Sequence, residues 1–489
     1  MLRPERAVSS NNPGAMPPRK ATTGPSRRAL LGGAAALAWL PRSSVAQTAP
    51  AAGPAETTWT AAPGQSRLKP EPAKETPIWS FDGKSAPPVL RIRKGEAVRL
   101  KLDNKTDKPL ALHWHGVRNK NAMDGVGGVT QPPIAPGASF TYEFTPPDAG
   151  TSVIRPLIVG GSSEPSGRGL AGMLVVEEPT PPPTDRDLSF LLQDLRLDDE
   201  GQPLAFGQVS FAAASGRLGN LVSVNGRPTP EAVEVPPGSR LRLRLANACN
   251  ARSTRIRFDG AKAYVVAVDG QPTDLFEPLR ATLPFAPGTR YDLLLDMPTE
   301  AGAAVTINAL IGQGLALATI KTKGEPLQRR SALPPIALIG NNSLLPAEVK
   351  LQNAFRRDLV LTGGARIDKD KPGTEPVFTG DPTRIWQING VSGAAGAAPA
   401  FSVKRGQVVV LAIRNDTAFL QTLHVHGHAF RLLHPLDDGW EPYWLDTFQL
   451  LDGKTARIAF LADNPGRWLI SSTVLERFDT GMWTSFEVV

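Results

Sequence analysis

The chain has 489 residues with 47 prolines, 46 glycines, one cysteine and a formal net charge of +8. That length holds roughly two to four domains with buried cores. One cysteine excludes an internal disulfide framework, and proline and glycine spread over the whole length favour many short strands joined by turns.

In chain order, the first predicted element is a targeting segment. SRRALLGGAAALAWLPRSSVAQ carries Arg27 and Arg28, an apolar run from Ala29 to Leu40, and a small-residue cleavage pattern ending at Ala46. This is the layout of a twin-arginine export signal over residues 1–46, which places the mature protein in the periplasm. Met16 is an alternative start to Met1. The apolar run is too short to span a bilayer as a helix, no other segment is apolar enough, and no transmembrane anchor is expected. Residues 1–46 contain seven basic side chains and one acidic one, so their removal lowers the charge by six, to +2. The basic excess therefore belongs to the signal and excludes nucleic acid as a partner. Residues 47–76 are expected to form a flexible linker.

Three copies of one unit follow. RIRKGEAVRLKLDN, EVPPGSRLRLRLAN and SVKRGQVVVLAIRN each place an asparagine nine positions after a glycine: Gly95 and Asn104, Gly238 and Asn247, Gly406 and Asn415. Apolar residues alternate between them, as a half-buried strand entered by a turn requires. Three units predict three β-sandwich domains, at 77–183, 184–325 and 382–489. The proline-rich joint Glu177–Asp185 divides the first two, and an irregular segment over 326–381 precedes the third. Cys249, at a predicted strand end, reads as a small buried side chain.

The repeat also locates chemistry. Nine residues after Asn104 and Asn415 come His113 in HWHG and His424 in HVHG, whereas the middle copy has Ile256. Residues i and i+2 of a strand share a face, so His113 with His115, and His424 with His426, each aim two imidazoles one way. Imidazole suits copper, zinc and nickel. A second internal match aligns PGASFTYEFTPPDAGTSVIRPLIV with DGKTARIAFLADNPGRWLISSTVL. It sets Arg155 and Leu157 in the first domain against Ser471 and Thr473 in the third.

From about Pro77 to Val489 the chain resembles the three-domain multicopper oxidases of the laccase and ascorbate-oxidase type. HWHG, TQPPIAPG, GLAGMLVVEE, VNGRP, HVHGHAF, ADNPGRW and the late GM carry the resemblance. It implies an all-β chain of three cupredoxin-like, Greek-key sandwiches in series. In that family four His-x-His pairs hold three coppers between the first and third domains, and a type 1 copper on Cys, two His and usually Met feeds them electrons. By the resemblance, His113 and His424 match the type 2 ligands, and His115 and His426 match two of the six type 3 ligands. The other type 3 positions fall on Arg155, Leu157, Ser471 and Thr473. The type 1 Cys position is Ser472, its His positions are Gln421 and Arg477, and Met482 alone is kept. His428 is expected to be structural.

A type 1 site needs its thiolate, which serine does not replace. The expectation is therefore zero or one copper ion, not four, at His113, His115, His424 and His426, with no catalytic residue assigned. Arg155 and Arg477 are expected to fill the vacated space and pair with nearby acids, Glu476 or Asp479 for Arg477. Copper handling, or a scaffold with a periplasmic protein partner as in copper-free relatives that serve cell-envelope division, is the function this implies. A mononuclear-metal enzyme and a laccase-like copper oxidoreductase are the alternatives, so enzymatic activity stays open.

Overall fold

The computed structural model describes residues 56–489 except 330, 341, 343, 368–373 and 435–438, so the predicted signal at 1–46 lies outside the described residues. Six sheets pack as three two-sheet sandwiches. In the first, Thr76–Phe81, Thr57–Ser66, Val98–Asn104 and Ser139–Phe144 face Val89–Arg93, Gly172–Glu177, Gly150–Pro156 and Leu112–His115. The second sets a seven-stranded sheet, built around Arg240–Asn247, against a five-stranded one that contains Thr254–Asp259. The third sets a sheet around Gln407–Asn415 against one holding Trp483–Val488, Gly466–Ser472, Gln421–Val425 and Thr447–Leu450. The three cupredoxin-like sandwiches expected from the repeats are present. The apolar cores of the second and third run together as one cluster.

Three local expectations are corrected. Thr57–Ser66 lies within the segment expected as a linker, yet it pairs antiparallel with Thr76–Phe81 and parallel with Val98–Asn104. Its only buried side chains are Trp59 and Ala61, and Pro63 and Gly64 dilute the alternation that would have marked a strand. Phe355–Gly363, inside the segment expected to be irregular, pairs parallel with Gln407–Asn415. Leu359 and Leu361 alone are buried there, behind three charged residues. Arg240–Asn247 is buried on both faces instead of one. Arg242 donates to Glu178 and Asp292, and Arg244 to Asp187 and Asp292, so the charged face of this strand packs against the first domain through compensating carboxylates.

The repeated glycine and asparagine have separate physical roles. Gly95, Gly238 and Gly406 all adopt positive φ (96°, 71° and 84°) in the turn that enters the strand. The asparagines close the corner that leaves it. Buried Asn415 donates to the carbonyls of Phe419 and Leu450 at 2.8 and 3.0 Å and accepts from the backbone and hydroxyl of Thr417. Asn104 does the same with Lys108, Ile134 and Thr106. Asn247 bonds Arg252, Phe285 and the backbone of Cys249. The corners at Asn104 and Asn415 lead into the two His-x-His strands. Asn415→Ala strands two buried carbonyls and two donors, so a loss of about 3 kcal/mol is expected. A shift in the urea midpoint of the purified protein checks this.

Candidate metal centre

His113 and His115 lie on Leu112–His115, and His424 on Gln421–Val425 with His426 just beyond it. The first- and third-domain copies have the same register. Arg155 faces His113 across its ladder, and Ser471 faces His424 across the equivalent one. The structure brings all four imidazoles together, each no more than 2% exposed. Ring centroids are 4.3 Å apart for His113 and His426, 4.6 Å for His424 and His426, and 5.5 Å for His113 and His424. His115 stacks on His424 at 3.8 Å. Among the described residues, one donor atom each from His113, His424 and His426 lie within 4.8 Å of one another, and His115 groups instead with His424 and Asp446.

Their hydrogen bonds determine which nitrogen carries the proton. A carbonyl oxygen only accepts, so His113 donates from Nδ1 to the Asp124 carbonyl (2.8 Å) and His424 donates from Nδ1 to the Asp446 carbonyl (2.9 Å). Their Nε2 lone pairs are buried with no hydrogen-bond partner. His426 donates from Nδ1 to the Asp124 carboxylate (2.9 Å) and accepts at Nε2 from the Ser471 hydroxyl. The Thr447 hydroxyl donates to Asp446 Oδ1, so it accepts from His115 Nε2 at 2.8 Å and leaves His115 Nδ1 without a partner. Burial lowers the His424 and His115 imidazoles and brings His426 down to about 3. All three are therefore neutral near neutral pH.

Asp124, Asp446, Thr447 and Arg290 complete the surroundings. Burial alone would raise the Asp124 carboxyl, but His426 and His113 outweigh it and hold it far below the carboxylate range. Its only ion-pair contacts among the described residues are those two imidazoles. Sequence reasoning missed these four residues because neither internal repeat contains them. His428 is buried among the rings of Phe460, Trp468 and Phe486 and donates from Nδ1 to the His426 carbonyl.

The other residues expected at ligand positions from the resemblance carry no imidazole or thiol. Leu157 packs with Val126, Leu469, Leu475 and Phe478. The Thr473 carbonyl accepts from Arg155 at 3.2 Å, and Ser472, Gln421 and Met482 are buried. Cys249 is buried too, as expected, and burial raises its thiol well above the usual value. Both arginines are buried, but among the described residues neither pairs with an acid as expected. Among the described residues the Arg155 side chain bonds that carbonyl alone, its Nε is buried without a partner, and burial pushes it down to about 10. Arg477 donates to Leu420, Gln421 and Ala214 and lies over Trp386, pushed down by burial to about 9. The helix Leu475–Asp479 turns the neighbouring acids elsewhere. Glu476 accepts from Arg217 N–H and Asn250, and Asp479 from the backbone of Ser162 and Ser163.

Burial also pushes Glu476 up to about 7 from 4.5. A carboxyl raised on folding stabilises the fold below its unfolded value and loses that contribution as pH rises through the folded one. Stability is expected to fall by up to about 3 kcal/mol between about pH 5 and 8, and Glu476→Gln to flatten that slope. Urea unfolding across the range measures it.

Family models described as multicopper oxidase match residues 64–181, 202–322 and 368–489. The chain is similar to Multicopper oxidase MmcO of Mycobacterium tuberculosis, at 27% identity over 78% of this chain and 77% of that one. It is 31% identical to Cell division protein FtsP of Photorhabdus laumondii over 83% of this chain and 84% of that protein. The crystal structure of a multi-copper oxidase from Pseudomonas thermotolerans superposes with a TM-score of 0.74 at 30% identity, covering 89% of this chain and all of that one.

Proposed function

We propose a role for this chain from the premise that it belongs to the multicopper oxidase family. Membership implies copper binding, and the residues present determine how much copper fits. The full four-copper complement does not fit, because Ser472, Gln421 and Arg477 replace the type 1 thiolate and imidazoles while Arg155, Leu157, Ser471 and Thr473 replace four type 3 imidazoles. One ion fits His113, His424 and His426 once the Ser471 hydroxyl turns away from His426 Nε2, with His115 stacked alongside. The protein is read as an exported copper-binding member that works outside the oxidase cycle, in copper handling. Export rests on the twin-arginine pattern of residues 1–46.

The observation that carries this reading is the buried lone pairs of His113 Nε2 and His424 Nε2, each opposite an Nδ1–H tied to a backbone carbonyl. Metal-ligating histidines are oriented by such bonds, and a buried imidazole with no metal would otherwise leave an acceptor unsatisfied. Charge supports the same reading. Asp124 is a buried carboxylate whose ion-pair contacts among the described residues are imidazoles alone, and a cation among those imidazoles would balance it. Bound copper would supply Lewis acidity and a one-electron couple there. The chain's own residues orient the imidazoles and exclude water. Complete burial of the four rings weighs against an enzyme acting on a bulky substrate at this centre.

Metal analysis of the mature protein after copper loading and gel filtration tests the proposal. One equivalent, lost in His113→Ala, is expected, and no bound copper would end it. The 31% identity to a protein named for cell division favours a second reading, a periplasmic scaffold with a protein partner. That reading predicts partner capture that survives replacement of all four histidines.

A further inference from the structure

The middle domain supplies no histidine to the centre, yet it reaches the centre through Arg290. This side chain is fully buried, and all five of its N–H groups are used. Nε donates to the Thr151 carbonyl of the first domain at 3.1 Å. Nη1 donates to Gly288 O (2.8 Å) and Asp446 Oδ1 (2.9 Å), and Nη2 to Asp269 O (2.8 Å) and Asp446 Oδ2 (2.5 Å). One guanidinium therefore joins three domains.

Asp446 passes this constraint to two imidazoles. Its backbone carbonyl accepts from His424 Nδ1, and its Oδ1 holds the Thr447 hydroxyl that accepts from His115 Nε2. With both carboxylate oxygens held by the guanidinium fork, Asp446 acts as a support and not as a ligand, although its position beside His115 and His424 would suit one. The glycines around the fork leave no slack. A Cβ on Gly116, directly after His115, would lie 2.0 Å from Arg290 Nη2, and one on Gly288 would lie 2.5 Å from His115 Nε2.

We propose that Arg290 is a positioning residue for the metal centre, coupling copper binding at the histidines to the seating of the middle domain. This rests on the one-copper reading above. The purified mature protein is titrated with Cu(II), and affinity and the electron paramagnetic resonance spectrum are recorded for wild type, Arg290→Lys, Arg290→Gln and Asp446→Asn. Lysine keeps the charge but cannot form the fork. Folded Arg290→Lys is expected to bind copper about 10- to 100-fold more weakly, with changed hyperfine splitting. Asp446→Asn, which keeps the side-chain size, should act in the same direction and serves if the Arg290 variants do not fold. Ile320→Ala, a cavity in the core of the middle domain's five-stranded sheet and not in the sheet that carries Arg290, should lower stability while leaving affinity and spectrum unchanged. Arg290→Lys and Asp446→Asn with wild-type affinity and spectrum would overturn the inference alone. A wild type that binds no copper would overturn the one-copper reading and this inference with it.

Discussion

His424→Ala is expected to abolish copper loading of the mature protein. His424 is the one imidazole common to both donor groupings, and its Nε2 lone pair has no other use in the fold. Loss of a supporting residue around a metal costs about 10- to 100-fold in affinity, so loss of a ligand with a prepared lone pair should exceed about 100-fold. His428→Ala is the matched control. That ring is equally buried but packs against Phe460, Trp468 and Phe486, so its removal should lower stability and leave copper stoichiometry at one. Equilibrium dialysis against a copper buffer, followed by metal analysis, separates the two. Equal loading of His424→Ala and wild type would show that copper sits elsewhere.

Arg155→Gln should have the opposite sign and a comparable size. Arg155 faces His113 across the ladder, is completely buried, and has no acid partner among the described residues. Its charge adds to the depression of the His115 imidazole. A unit charge about 8 Å from a divalent ion costs about 4 kcal/mol at an effective dielectric of about 20. That corresponds to about three orders of magnitude in affinity as an upper value. Glutamine keeps a donor for the Thr473 carbonyl and removes the charge. Copper affinity is expected to rise by about 10- to 1000-fold and the apo melting temperature to rise as well, because a poorly partnered buried cation destabilises a fold. Competitive titration against a chelator reads the first effect and calorimetry the second. An unchanged dissociation constant would mean that the guanidinium does not act on the centre.

These two variants probe residues that the internal repeats identified directly. The glycine-to-asparagine spacing marks the same buried corner in three domains, because the asparagine bonds are local, within a few residues or across one sandwich. The alignment that paired Arg155 with Ser471 is reproduced as ladder partners of His113 and His424. What the sequence could not show acts over long separations. Asp124 meets His426 across 302 positions and Arg290 meets Asp446 across 156, and nothing local to AMDGV or WLDTF marks either contact. The acid partners expected for Arg477 failed for a local reason. The short helix after the last long strand points that side chain at the Ala214 and Leu420 carbonyls and sends Glu476 and Asp479 toward other domains. The strands at 57–66 and 355–363 escaped because each buries only two apolar side chains.

We propose that this multicopper oxidase scaffold holds one copper among His113, His424 and His426 and has no type 1 centre. The most direct test is a copper count together with a visible spectrum of the mature protein after anaerobic reconstitution with excess copper. One copper per chain without an intense blue thiolate band is the predicted result. Four coppers per chain with that band would contradict the account.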